Sequence, residues 1–211
     1  MKNVVCDLCF HHCVLKEGQR GFCRARIVKH GKIICENYGK ITSLALDPIE
    51  KKPLQRFHPG SNILSIGSYG CNMRCPFCQN HEISMSETIP YHTISPATLV
   101  ELACAKRKDG NIGIAFTYNE PLISYEYVFD CAVAAKAKDL AVVIVSNGMI
   151  ETTKLLALLP YVDAMNIDLK GFQDNIYEEL AGNLEQVKET IRCAAAHTHV
   201  FPGVMMQSQI C

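Results

Sequence analysis

The placement of cysteine constrains this chain more than any other feature. Twelve cysteines occur in 211 residues, and seven of them fall into two groups. Cys6, Cys9, Cys13 and Cys23 form C-x2-C-x3-C-x9-C, and Cys71, Cys75 and Cys78 form C-x3-C-x2-C. The first residues lack the apolar stretch of a signal peptide, and Leu140–Val145 is far short of the about 20 residues needed to cross a bilayer. A cytoplasmic setting is therefore expected, with no membrane partner. In that reducing compartment grouped thiols point to metal or redox chemistry rather than disulfides. Cys104, Cys131 and Cys193 lie in apolar or alanine-rich helical patterns and read as core. Cys35 and Cys211 receive no role.

The remaining composition narrows the function class. Basic and acidic side chains balance at 21 each and 48% of residues are hydrophobic, so a packed core is expected and disorder is excluded. A net charge of zero without a Lys/Arg stripe argues against a zinc-dependent nucleic-acid binder.

Two rhythms divide the chain. Residues 1–60 read as a cysteine-rich N-terminal module and linker: a metal-stapled stretch to Arg26, then two short strands within Lys32–Leu46 around the turn at residues 37–40, then a proline-rich loop from Asp47 to Gly60. From residue 61 strands and helices alternate. Strands are expected at Ile63–Ile66, Ile112–Phe116, Ala141–Val145 and Met165–Leu169, with one more beginning at His199–Phe201. Helices are expected from Ser95-Pro96 to about Gly110, Pro121 to Lys138, Thr152 to Leu159, Asn175 to Leu180 and Leu184 to Ala196. Such alternation implies right-handed crossovers and a parallel sheet, and the unbroken apolar strands imply cover on both faces. The fold class is α/β, a partial (β/α) barrel carrying the small cysteine-rich module. Residues 61–211 are fewer than the about 250 of a full eight-fold barrel, so the core is read as incomplete at its C-terminus.

Three thiolates in C-x3-C-x2-C spacing can each hold one iron of a four-iron cluster, leaving the fourth iron open to a substrate. The competing assignment is a closed zinc site completed by His81. The four N-terminal cysteines are enough for a second metal site, zinc or iron–sulfur, with His11 or His12 able to replace a cysteine. Their spacing fits neither paired zinc-ribbon hooks nor the ferredoxin run.

The run Ile66-Gly67-Ser68-Tyr69-Gly70-Cys71-Asn72-Met73-Arg74-Cys75-Pro76-Phe77-Cys78-Gln79-Asn80 resembles the signature of the radical S-adenosylmethionine (SAM) enzymes. Taken with Asp47–Leu54, Tyr118-Asn119-Glu120-Pro121 and Asn166–Lys170, it is similar to the AmmeMemoRadiSam-type proteins, relatives of pyruvate formate-lyase activating enzyme. The resemblance covers about Cys6 to Ala196 and fades beyond.

It implies that Cys71, Cys75 and Cys78 ligate a [4Fe-4S] cluster whose open iron is chelated by SAM, with Phe77 near the adenine. Relatives carry a Gly-Gly-Glu-like motif that grips the methionyl ammonium; Tyr118-Asn119-Glu120 stands in its place, keeping only the carboxylate. The resemblance also puts Ser146, Asn147, Asp168 and Lys170 near SAM, the lysine pairing with its carboxylate. Independently of it, these residues follow the C-terminal ends of successive strands, where barrel active sites are assembled. The implied reaction is reductive cleavage of SAM to a 5′-deoxyadenosyl radical that abstracts hydrogen, from a protein glycine if the chain is glycyl-radical-activating-like. A one-electron reductant such as flavodoxin or ferredoxin is the implied partner. The alternative is a truncated, non-catalytic iron–sulfur or zinc-binding module.

Overall fold

The computed structural model describes residues 3–86 and 88–197; His199–Phe201 and Cys211 lie outside the described residues. In chain order the elements begin with β1 (Val4–Val5), β2 (Val14–Leu15), β3 (Arg26–Lys29), β4 (Lys32–Cys35), β5 (Lys40–Ile41), β6 (Ser43–Pro48) and β7 (Asn62–Gly67). They continue with α1 (His81–Met85), β8 (His92–Thr93), α2 (Pro96–Ala105), β9 (Asn111–Phe116), α3 (Tyr125–Lys136) and β10 (Ala141–Ser146). The last are α4 (Thr152–Leu158), β11 (Ala164–Ile167), α5 (Asp174–Glu179) and α6 (Leu184–Ala196).

The central sheet has the order β11-β10-β9-β7-β6. β7, β9, β10 and β11 run parallel, as the alternation of strands and helices requires, and β6 pairs antiparallel with β7 from Ser43↔Gly67 to Pro48↔Asn62. Side chains alternate between the two faces of the sheet. Leu64, Ile66, Ile114, Phe116, Val142 and Ile144 bury one face beneath the helices, among Leu99, Val128, Leu155 and Val187. Each such fully buried side chain contributes roughly 1.5–3 kcal/mol. The other face is lined by small residues such as Ala115 and Ala164, and is closed near one end by Ile49 and Leu54. Gly113 is fixed by close approach: a Cβ there would lie 1.9 Å from the Ala141 carbonyl oxygen.

Helix ends follow their local signals. Ser95 caps α2, its hydroxyl accepting from Thr98 N at 3.2 Å with Pro96 in the first turn, and Asn183 caps α6 by accepting from Gln186 N at 2.9 Å.

Two expectations are corrected. Residues 32–46 do not pair across the turn at 37–40. Instead β4 pairs back onto β3 through His30-Gly31, whose φ values of 54° and 68° suit a tight two-residue turn, and β6 is taken by the longer ladder with β7. Asp47–Gly60 is not a free linker: Ile49 and Leu54 are fully buried, and Lys52 and Asp47 are paired beneath the surface. β6, within the first 60 residues, is the edge strand of the central sheet. Among the described residues no helix is long and apolar enough to cross a membrane.

Candidate functional site

The C-terminal ends of β7, β9, β10 and β11 carry the residues singled out from the sequence, and one hydrogen-bond net ties most of them together. After β9, Asn119 Oδ1 accepts from Ser68 N at 2.9 Å and its Nδ2 donates to Gly70 O at 3.1 Å, locking this loop to the one that begins the cysteine run. Glu120 is buried, and its Oε1 accepts from Leu122 N at 3.0 Å and from Ser146 Oγ at 2.9 Å. Its Oε2 accepts from Asn147 N at 2.7 Å. Asn147 Nδ2 then donates to Asn72 Oδ1 at 2.9 Å and points at Cys71 Sγ at 3.7 Å. Asp168 N donates to Ser146 O at 2.8 Å, carrying the ladder past β11. Lys170 Nζ meets Asp168 Oδ2 at 3.2 Å.

The electrostatics of this net are set by burial. Burial pushes the Glu120 carboxyl up to about 7 against its three donors, with Asp168 adding to the rise. For Lys170 burial acts downward, but Asp168 and the Cys75 sulfur outweigh it and hold the ammonium charged. Burial pushes the Cys71 thiol up to about 12, and the Glu120 charge acts in the same direction. A thiolate at Cys71 therefore needs a nearby cation; Met73 N, at 3.4 Å, and Asn147 Nδ2 are donors already aimed at its sulfur. A cationic iron–sulfur cluster fits this donor set, and Cys71, Cys75 and Cys78 are the residues that would hold it.

Among the described residues no three cysteine, histidine or carboxylate side chains converge on a point that one ion could occupy. That is not the arrangement of a closed zinc site, and His81 stands exposed at the start of α1. Cluster ligands bind separate irons and need no such single point. Phe77 is 45% exposed and takes no part in the net.

The four N-terminal cysteines line one small pocket together with His11 and His12. Cys6 and Cys23 are buried against Leu8, Ala25 and Ile123, and Phe22 N donates to Cys13 Sγ at 3.4 Å. Backbone N–H groups of Ala25 and Arg26 also face Cys23.

Sequence reasoning missed what shapes the cysteine loop. Asn72 is buried and donates to Met149 O at 2.7 Å, while its own carbonyl meets His11 Nε2 at 2.9 Å. His11 lies between the rings of Phe10 and Phe22, at centroid distances of 4.1 and 4.2 Å. Arg74 donates to the carbonyls of Cys71 at 2.9 Å, Met73 at 2.8 Å and Phe22, and its guanidinium lies 3.9 Å from the Phe22 ring centre. At Gly70, with φ +88°, a Cβ would lie 2.4 Å from Cys23 O, so the module and the loop touch backbone to backbone. Asn72 and Arg74 stand inside the cysteine motif, so their place between ligands was the available signal.

A further group, the buried Asp47 and Lys52 with the half-buried Tyr118, was also missed as a unit. Lys52 Nζ lies 2.8 Å from Asp47 Oδ2, and Tyr118 OH donates to the same oxygen at 2.6 Å. Tyr118 has φ +71°, a left-handed conformation unusual for a bulky residue, directly before Asn119 and Glu120.

The profile of the Radical SAM superfamily matches residues 65–206. An uncharacterized protein of Methanocaldococcus jannaschii is 43% identical over 194 residues, which cover 91% of this chain and 57% of that protein. A Haemophilus influenzae protein named "Putative glycyl-radical enzyme activating enzyme" is 28% identical over 130 residues, covering 56% of this chain and 47% of that one. The chain thus spans about half the length of these relatives. Among solved structures, QueE from Escherichia coli aligns over 72% of this chain and 66% of its own, with a TM-score of 0.49 and 13% identity. The family match spans well over half of the sequence, and the chain belongs to the radical SAM superfamily, whose members use a [4Fe-4S] cluster and S-adenosylmethionine.

Proposed function

We propose that the chain binds its [4Fe-4S] cluster through Cys71, Cys75 and Cys78 and cleaves SAM reductively to abstract hydrogen from a substrate. The observation that carries this reading is the net running from Glu120 through Asn147 to Asn72 and Cys71, which joins the ends of β9 and β10 to the cysteine loop. When bound, the cluster and SAM supply one-electron cleavage of a carbon–sulfur bond.

The protein groups divide the remaining work. Lys170, held charged by Asp168, would pair with the carboxylate of SAM, while Asp168 is itself shared between Lys170 Nζ and Asn166 Nδ2. Glu120 braces Leu122, Ser146 and Asn147 through three accepted hydrogen bonds and would hold the SAM ammonium. Phe77, exposed beside the last two ligands, supplies a face for the adenine. Residues 1–60 act as a cysteine-rich module that supports the loop, and Cys6, Cys9, Cys13 and Cys23, which line one pocket without three of them converging on a single point, would hold a second metal, zinc or iron–sulfur, once drawn together around it. Hydrogen abstraction from a protein glycine is the finer reading, supported by the 28% identical Haemophilus influenzae relative, with a flavodoxin or ferredoxin as reductant.

Anaerobic reconstitution with iron and sulfide, reduction, addition of SAM and quantification of 5′-deoxyadenosine test the reading. Wild type should form product, and Cys71→Ala, Cys75→Ala and Cys78→Ala should lose both product and the cluster absorbance. A cluster-loaded, folded chain that releases no 5′-deoxyadenosine would sink it.

A further inference from the structure

An open groove runs past the cysteine loop, between the N-terminal hairpins and the stretch around Tyr91. Phe22, Arg74 and Tyr69 line it together with Arg24, Lys40 and Tyr91. None of the strand-end residues Asn119, Glu120, Asn147, Asp168 or Lys170 does. Arg74 explains the separation: it lies between Cys71 and Cys75 and turns its guanidinium onto Phe22, whereas Cys71 is approached by Asn147. The groove therefore meets the cysteine loop at Arg74, apart from the strand-end residues.

Its charge is one-sided. Among the described residues lining it are four cations, Arg20, Arg24, Lys40 and Arg74, against one carboxylate, Glu36. That carboxylate is already engaged by both ends of the Arg20 guanidinium and by Lys29 at 3.8 Å. The other cations have no carboxylate of their own among the described groove residues. Arg74 bonds to neutral backbone carbonyls, which satisfy its N–H groups without cancelling its charge. Lys40 Nζ stands 4.9 Å over the Tyr91 ring and 5.8 Å from that of Tyr69. Arg24 Nη1 is buried without a hydrogen-bond partner among the described residues. In a chain of zero formal net charge this is a local concentration of positive potential beside aromatic surface.

We propose that this groove is the docking surface for a small acidic one-electron carrier protein that reduces the cluster; this rests on the function proposed above. Charge selects an acidic partner, and the aromatic rings supply the less polar centre of the contact. An open groove spanning two parts of the chain suits a protein surface better than an enclosed small ligand. Contact at Arg74 brings the carrier within a few residues of the ligand cysteines. One electron leaves the carrier and one enters the cluster, and no atom or proton changes hands.

Two measurements on the reconstituted chain test this, with reduced flavodoxin as the probe. Binding is followed by titration calorimetry at low and high salt, and 5′-deoxyadenosine formation is driven either by flavodoxin or by dithionite, which needs no docking. Lys40→Glu and Arg24→Glu should each weaken flavodoxin binding and slow the flavodoxin-driven rate at least about tenfold, with the dithionite-driven rate unchanged. High salt should weaken wild-type binding in the same way. The milder Lys40→Gln should fall between, which keeps the test open if a charge reversal disturbs folding. Unchanged flavodoxin affinity in folded Lys40→Glu and Arg24→Glu would overturn the proposal. So would inorganic pyrophosphate binding that these variants lose while flavodoxin binding persists, since that assigns the groove to a small oxyanion. A wild type inactive with dithionite would instead count against the proposed function, and the calorimetry would still decide the groove.

Discussion

Asp47→Ala should destabilise the chain by about 3–5 kcal/mol, because it leaves a buried ammonium without its counter-charge. The Lys52 side chain is 3% exposed and that of Asp47 10%, so solvent screens this pair little. Asp47 also accepts from Tyr118 OH at 2.6 Å, and loss of that bond accounts for about 1 kcal/mol of this figure. Lys51 contributes little, since its side chain is 67% exposed at 3.3 Å. For a chain of this size each kcal/mol moves Tm by roughly 2–4 °C, so thermal unfolding followed by circular dichroism should show a drop of roughly 6–20 °C. Adding Lys52→Met should recover most of the loss, giving a coupling of at least about 2 kcal/mol in a double-mutant cycle. The pH dependence has a definite sign. Burial pushes the Asp47 carboxyl up, but Lys52, Tyr118 and Lys51 outweigh it and hold it well below the usual range. Its contribution is therefore present above the ordinary aspartate value of 3.8 and lost as pH falls through the folded value, so wild type and Asp47→Ala should converge in acid. A loss under about 1 kcal/mol at neutral pH, or a double variant no more stable than Asp47→Ala, refutes the reasoning.

Other outcomes follow from single contacts. Gly113→Ala, whose Cβ would meet Ala141 O at 1.9 Å, should cost more than about 4 kcal/mol or prevent soluble expression. Gly110→Ala, at φ +80° but with its nearest contact at 3.5 Å, should cost only about 1–2 kcal/mol; equal urea midpoints for the two would contradict the packing argument. Because burial raises Glu120 from 4.5 to about 7, the folded chain holds that proton where the unfolded chain has released it. The stability from this group is full below 4.5 and declines as pH rises through about 7, so the Tm gap between wild type and Glu120→Gln should narrow over that interval. A gap that widens with pH tells against it. Arg74→Ala should loosen the cysteine loop, seen as faster amide exchange at Cys71–Cys75, with the central sheet unaffected; unchanged exchange there would argue that the guanidinium bonds are dispensable.

The helices and parallel strands were legible because their signals are local. Ser95-Pro96 and Asn183 mark helix starts by side-chain capping, and Ala141–Val145 reads as a strand covered on both faces by its unbroken apolar run. The N-terminal pairings were not, because His30-Gly31 competes with residues 37–40 as a turn, and only the ladder with β7 decides which strand β6 joins. Strand-end residues could be named from order alone. Their division of labour could not, since Glu120 becomes a brace only when Ser146 and Asn147, 26 and 27 residues away, arrive beside it. Asp47 and Lys52 looked like charges in a proline-rich loop, and nothing in a one-dimensional pattern shows that Tyr118 closes over them.

The tethering of the cysteine loop bears on how its metal is acquired. Arg74 N donates to Leu180 O at 2.8 Å, its guanidinium gathers carbonyls from both the loop and the module, and Asn72 reaches Met149 O. The backbone ordering that a small zinc finger meets only when its ion binds, roughly 1–2 kcal/mol per residue, is here met by protein–protein contacts. Cluster insertion is then an event in a folded chain rather than the event that folds it. Chelation should release iron and leave the tertiary structure standing, so the same polypeptide can be emptied and refilled.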